Sequence, residues 1–163
     1  MSNDTASQFD RADGTTIAAR PEFMVRPLVY GDLPAVLAIE RRSFDTPWSL
    51  AMFVLELSKP SGICLAAQAG DDLLGYVICS RYDQVWHLMN IAVSPDHRRG
   101  GVASQLMRRL FEEARGQLPF TLEVRVSNHQ AIAMYEGFGF RSAGVRPRYD
   151  HDNGEDALIM WLD

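Results

Sequence analysis

IAVSPDHRRGGVASQL, residues 91–106, runs the end of an apolar strand into a tight turn and then into a helix. Ile91, Ala92 and Val93 close the strand, Ser94-Pro95-Asp96 makes the turn, and the pair Gly100-Gly101 precedes the helix. In that helix Ala103, Leu106, Met107, Leu110, Phe111 and Ala114 recur at i, i+3, i+4, i+7, i+8 and i+11, with Ser, Gln, Arg and Glu between them. Backbone N–H groups at a helix start are unpaired and partly positive, so they suit phosphate oxygens. Gly100 and Gly101 let a diphosphate approach the main chain without a Cβ in the way, and Arg98 and Arg99 add charge. A plain strand-to-helix turn accounts for the same residues without a ligand. No Gly-Lys-Ser/Thr ending marks a P-loop, and the three spaced glycines of a dinucleotide fingerprint are missing.

Before this stretch, Phe23 to Val29 reads as a strand ended by Gly31-Asp32, with Asp32 as a helix N-cap. The helix after it buries Leu33, Val36, Leu37 and Phe44. At 100° per residue Glu40 falls in the middle of that stripe, either as a side chain snorkelling to water or as a group at a ligand cleft. Pro47-Trp48-Ser49 opens a second helix with Trp48, Met52, Phe53 and Leu57 as its apolar contacts. Gly62 to Ala69 and Leu73 to Tyr82 form a hairpin through Gly70-Asp71-Asp72, and His87 to Val93 is the next strand. After the central helix, Phe120 to Val126 alternates: Phe120, Leu122, Val124 and Val126 share one face, Thr121, Glu123 and Arg125 the other. That polar face either meets water in a cleft or pairs Glu123 with a neighbouring cation. Ser127-Asn128 caps a helix through Tyr135 that Gly137 ends, and Tyr135 lies inward with Ala131 and Ile132, where core packing is its plain reading. Phe138 to Val145 and Ala157 to Leu162 are the last strands. The order β-α-α-β-β-β-α-β-α-β-β predicts an α/β fold: a mixed sheet with helices on both faces.

Composition narrows the function. A chain of 163 residues with 47% apolar and 23% charged residues fits one globular domain, residues 23–163, behind a polar leader, residues 1–22, expected to be disordered. The net charge of −5 gives nucleic acid no electrostatic foothold. The longest apolar run, Leu50 to Leu55, has six residues; a membrane helix needs about 20. Residues 1–22 lack the basic start and apolar block of a secretory signal. Cys64 and Cys79 sit in apolar stretches and read as buried free thiols of a cytoplasmic protein. His87, His97, His129 and His151 lack zinc-ligand spacing, so no metal is expected.

The combination N-I-A-V, R-R-G-G-V-A, L-E-V-R-V-S-N and A-M-Y-E-G-F-G-F, in that order and spacing, resembles the GNAT acetyltransferase superfamily. Within it the chain is similar to the RimI-type protein N-alpha-acetyltransferases, from Phe23 to Leu162, including Asp45-Thr46-Pro47-Trp48-Ser49 and Gly154-Glu155-Asp156-Ala157-Leu158-Ile159-Met160. The resemblance implies acetyl-CoA as cosubstrate, lying between two splayed parallel strands, His87 to Val93 and Phe120 to Val126. It implies main-chain bonds from Ile91, Ala92 and Val93, a pyrophosphate held at Arg98, Arg99, Gly100, Gly101, Val102, Ala103 and Ser104, and contact from Asn128 to the pantetheine arm. Gly100 stands where a polar residue is usual, and Ala103 replaces the family's last glycine. Glu123 matches the position of the general base and Tyr135 that of the general acid. The resemblance also implies a peptide groove walled by Trp48 on one side and Arg148, Tyr149 and His151 on the other, with Glu40 adding negative charge. The expected acceptor is a protein N-terminus, with a small-subunit ribosomal protein as a candidate; lysine or small-molecule acetylation and a non-catalytic acyl-CoA sensor are the alternatives.

Overall fold

Turn residues and apolar alternation cut the chain into seven strands and four helices in the computed structural model, which describes residues 22–147 and 154–163. In chain order these are β1 (Met24–Pro27), α1 (Leu33–Ser43), α2 (Leu50–Ser58), β2 (Ile63–Ala69), β3 (Asp72–Tyr82), β4 (Val85–Val93), α3 (Val102–Glu113), β5 (Phe120–Arg125), α4 (His129–Gly137), β6 (Arg141–Arg146) and β7 (Ala157–Leu162). Single turns of 3-10 helix stand at Tyr30–Asp32 and Pro95–His97. This is the element order expected from sequence.

The strands form one sheet in the order β1-β2-β3-β4-β5-β7-β6. Hairpins make most neighbours antiparallel; the α3 crossover makes β4 and β5 the parallel pair. Each face of the sheet carries its own core. On one face Leu106, Met107 and Leu110 of α3 and Tyr135 of α4 pack on Leu65, Val77, Trp86 and Leu122. On the other, Leu33, Val36 and Ile39 of α1 and Phe53 of α2 pack on Ala66, Tyr76, Ile78 and Ala92. The α3 stripe is the expected one with Val102 added; Ala103 and Phe111 are only half-buried.

Three local expectations shift. Asp32 does not cap α1: its carboxylate accepts from the Val29 amide at 2.9 Å and pairs with Arg26 at 2.7 Å, closing the turn before the helix. The α4 helix includes Gly137 and is left through Gly139, at φ +101°, with the Phe140 amide bonded to the Tyr135 carbonyl at 3.1 Å. That exit moves the start of β6 from Phe138 to Arg141. Only glycine adopts such a φ cheaply, so the helix stops where the backbone can turn left-handed. Third, Val126 lies beyond β5 and is exposed. Cys64 and Cys79 are free, on opposite faces of the sheet, and Cys79 is fully buried.

Candidate active site

The parallel pair β4–β5 is joined at one end only. Trp86 faces Phe120 and His87 faces Thr121; past these two registrations the strands part. The cause lies on the other edge of β4. Ile78 of β3 faces Asn90, yet its neighbour Cys79 faces Leu88, so Met89 is a surplus residue. A bulge of this kind bends its strand and flips the side-chain alternation. Trp86 and Leu88 before it, and Ile91 and Val93 after it, pack on the α3 face. The stacked rings of Trp86 and Phe120, 6.0 Å between centroids, close the joined end of the wedge.

The parting opens a cleft of about 470 Å³. His87 and Met89 line it from β4, Thr121 and Glu123 from β5, and Ile159 and Trp161 from β7. Glu123 projects opposite to Leu122 and Val124, which pack on the α3 face, and therefore toward the side of the sheet that α1 and α2 occupy. Its carboxylate accepts an ion pair from Arg146 Nη2 at 2.9 Å, with the Glu123 side chain 22% exposed and that of Arg146 56% exposed. The polar face of β5 thus combines both expectations, a wet cleft and a cationic partner. An ionised carboxylate held at the wall of a half-enclosed cleft can accept a proton from an amine bound beside it.

At the far end of β4 the chain turns through Pro95–His97 into α3. Arg99 sits at φ +66° and Gly101 at φ +80°, and no side chain caps the helix. The Gln105 amide bonds back to the Gly101 carbonyl at 3.0 Å, which leaves the amides ahead of it at the helix entrance as donors for a bound anion. Arg98 braces the loop: its guanidinium reaches the Val93 carbonyl at 3.3 Å and Ser43 Oγ at 3.4 Å, while Arg99 is exposed. Behind the loop β3 comes close at Gly75, where a Cβ would stand 2.7 Å from the Ala92 carbonyl oxygen and 3.3 Å from Val102 Cγ1. Asn128 caps α4 through Oδ1, which accepts from the Ala131 amide at 3.2 Å, leaving its amide nitrogen for other contacts.

The remaining sequence-predicted residues are distributed differently. Tyr135 is 4% exposed, in edge contact with Phe140 at 5.8 Å, and is not among the residues that line the cleft. Burial pushes its phenol up from the ordinary value, which keeps the proton on at neutral pH. Trp48 is half-buried against Phe53, with ring centroids 5.1 Å apart. Glu40 neither snorkels to water nor lines a groove: it is 1% exposed, because the helix stripe that carries it is covered by β3, β4 and the turn before α2. Arg148, Tyr149 and His151 lie outside the described residues. Sequence reasoning passed over Met89, His87 and Arg146. A polar His87 in an apolar strand was a signal for the first wall of the cleft; nothing in the sequence marks Met89 as surplus. Among the described residues there is no group of His, Cys, Asp or Glu that could hold a metal, and no helix is long and apolar enough to cross a membrane.

The chain matches the acetyltransferase (GNAT) family over residues 33–140. It is 38% identical over 135 residues to the ribosomal protein bS18-alanine N-acetyltransferase of Salmonella typhimurium, covering 80% of this chain and 90% of that one. It is 36% identical over 123 residues to the N-alpha-acetyltransferase RimI of Mycobacterium tuberculosis, covering 73% and 77%. Among solved structures, the ribosomal-protein-S18-alanine N-acetyltransferase of Escherichia coli superposes with a TM-score of 0.80 at 34% identity, covering 86% of this chain and 93% of that one.

Proposed function

Since the chain belongs to the GNAT acetyltransferase family, we propose that it transfers acetyl from acetyl-CoA to the N-terminal α-amine of a protein, with Glu123 as the base. The observation that carries this is the parting of β4 and β5 beside an ionised carboxylate. The chain's own groups fit the cosubstrate. A cleft of about 470 Å³ takes the acyl end of a pantetheine arm. The edge of β4 at Ile91, Ala92 and Val93, freed from β5, has backbone groups to offer that arm, and the Asn128 amide nitrogen adds another donor. The amides from Arg99 to Ser104 hold the diphosphate, with Gly101 in the left-handed conformation that brings the main chain to the ligand.

When bound, acetyl-CoA supplies a thioester carbonyl open to attack by a neutral amine. The task of the protein is then to make the amine neutral and to place it. An α-amine has a pKa of about 7.7–8.0 and a lysine about 10.4, so at pH 7 about 10–20% of the first and about 0.04% of the second is neutral. One carboxylate suffices for the α-amine. Glu123 accepts its proton, directly or through one water, and Arg146 keeps the carboxylate facing the cleft until the ammonium arrives. Tyr135 is assigned as the proton donor for the departing thiolate by its match to the family motif alone; its ring lies in the core on the α3 side of the parted strands. The names of the relatives point to a ribosomal protein that begins with alanine as the acceptor, and the two free cysteines suit a cytoplasmic setting.

Mass spectrometry of an N-terminal peptide library incubated with acetyl-CoA tests this. The expected product is acetylated at the first residue, most readily in peptides that begin with alanine, and disappears when the N-terminus is blocked. Acetylation that survives blocking replaces the reading with a lysine acceptor, and tight acetyl-CoA binding without any acetylated product replaces it with a sensor.

A further inference from the structure

Among the described residues, two carboxylates are buried on the sheet face toward which Glu123 points: Glu56, paired with Lys59 at 2.7 Å, and Glu40, whose partners are unusual. It receives Trp48 N–H at 3.0 Å on Oε1, Asn90 Nδ2 at 3.1 Å on Oε1 and 3.0 Å on Oε2, and the Tyr76 hydroxyl on Oε2. All are neutral donors, so the group is satisfied by hydrogen bonds without a bonded cation. Three separate segments converge on it: the irregular turn at 44–49, β3 through Tyr76, and β4 through Asn90. Asn90 is the first residue past the Met89 bulge, and Met89 itself lines the cleft.

The turn at 44–49 has no sheet ladder of its own. Its near end is tied by the Phe44 amide to the Glu40 carbonyl at 3.1 Å, and its far end by the Trp48 amide to the Glu40 side chain at 3.0 Å. One residue therefore closes both ends of the turn. β4, by contrast, is held at Asn90 and beyond by its ladder to β3, independently of Glu40.

We infer that Glu40 is a positioning residue that ties the 44–49 turn, and Trp48 with it, to β4 beside the cleft, so that the turn forms a fixed wall for the incoming acceptor chain. This rests on the acetyl-transfer reading above. Losing the tie frees the turn but leaves β4, which offers the cosubstrate its other edge, in its ladder to β3. Acceptor binding therefore suffers, whereas cosubstrate binding does not.

Two variants and one measurement on the wild-type chain test it. Glu40→Leu removes every acceptor, and the expected result is a rise of about tenfold or more in peptide KM, with kcat and acetyl-CoA affinity within about twofold. Glu40→Gln keeps Oε1 for the Trp48 amide, which is the tie itself, turns its own N–H toward Tyr76 Oη and loses the second Asn90 bond, so peptide KM stays within about threefold of wild type. In the wild-type protein, hydrogen exchange at the Trp48 amide is expected to be as slow as in the β3–β4 ladder, and this holds whether or not the leucine variant folds. A residue that merely stabilises the fold lowers the amount of active enzyme and leaves both KM values alone; that pattern, or a Trp48 amide exchanging as fast as an exposed loop amide, overturns the inference. Wild-type protein that acetylates no N-terminal peptide overturns the functional reading and this role with it, and the wild-type assay alone detects that case.

Discussion

Replacing Glu123 with glutamine keeps the shape of the side chain and removes its charge and basicity. The structure sets two consequences. The first concerns the proton. At pH 7 an α-amine is already about 10–20% neutral, so a base that only completes deprotonation is worth about five- to tenfold there and almost nothing by pH 9. A base that also takes the proton as the bond forms adds part of the roughly 10²- to 10⁴-fold range of general base catalysis. Glu123→Gln is therefore expected to lower kcat/KM by about fivefold or more at pH 7, with a deficit that narrows toward pH 9. The second concerns the charge of the cleft: the Glu123 carboxylate no longer offsets the Arg146 guanidinium 2.9 Å away, so an arriving ammonium meets a less negative wall. Peptide KM rises for that reason, and adding Arg146→Gln brings it back without restoring kcat. Acetyl-CoA affinity is expected to stay within about twofold, since nothing in the α3 loop changes. Initial rates against peptide concentration between pH 6.5 and 9, with calorimetric titration of acetyl-CoA, resolve all three quantities. A wild-type rate at pH 7 in the glutamine variant would remove Glu123 as the base.

Four further outcomes follow from the same geometry. Gly101→Ala adds a Cβ that meets no atom within 4 Å, so its cost is the left-handed backbone alone, about 1–2 kcal/mol in thermal unfolding, whereas Gly101→Glu also weakens acetyl-CoA binding by about tenfold or more through charge repulsion, read by titration calorimetry. Gly75→Ala drives a Cβ to 2.7 Å from the Ala92 carbonyl oxygen and is expected to cost about 1–3 kcal/mol by denaturant unfolding; an unchanged midpoint would contradict the close approach of β3 and β4. Arg26 holds the Asp32 carboxyl below its usual range, so its contribution to stability is present above the unfolded carboxylate pKa and disappears as pH falls through the lower folded value; the melting-temperature gap between wild type and Asp32→Asn is widest near pH 6 and closes toward pH 2. Burial pushes the Cys64 thiol up to about 11 and Cys79 higher still, so neither is expected to alkylate at pH 8 until the protein is unfolded, as intact mass will show.

Much of this architecture can be read in the residues because local and global preferences agree. The α3 stripe works since a helix with one apolar face has one way to dock, and Leu106, Met107 and Leu110 are fully buried where the period puts them. The alternation in β5 separates Glu123 from Leu122 and Val124 for the same reason. What stays hidden depends on register. Met89 looks like any apolar strand residue, and only its lack of an opposite number in β3 distinguishes it. Glu40 looks misplaced on an apolar stripe because its donors come from Trp48, Tyr76 and Asn90, eight, 36 and 50 positions away, which no periodicity detects. The end of α4 slipped by two residues because Gly137 and Gly139 are both plausible stops and only the backbone angle chooses between them.

The surplus residue in β4 has a consequence for how such a fold tolerates change. What opens the crevice is a count of residues along one strand, not any particular side chain. Many amino acids at position 89 would leave the strand offset as it is. A chain shortened by one at that point is expected to regain unbroken alternation in β4 and to favour its pairing with β5 beyond Thr121, at the cost of the room for a thioester. The site is thus buffered against substitution and brittle toward deletion.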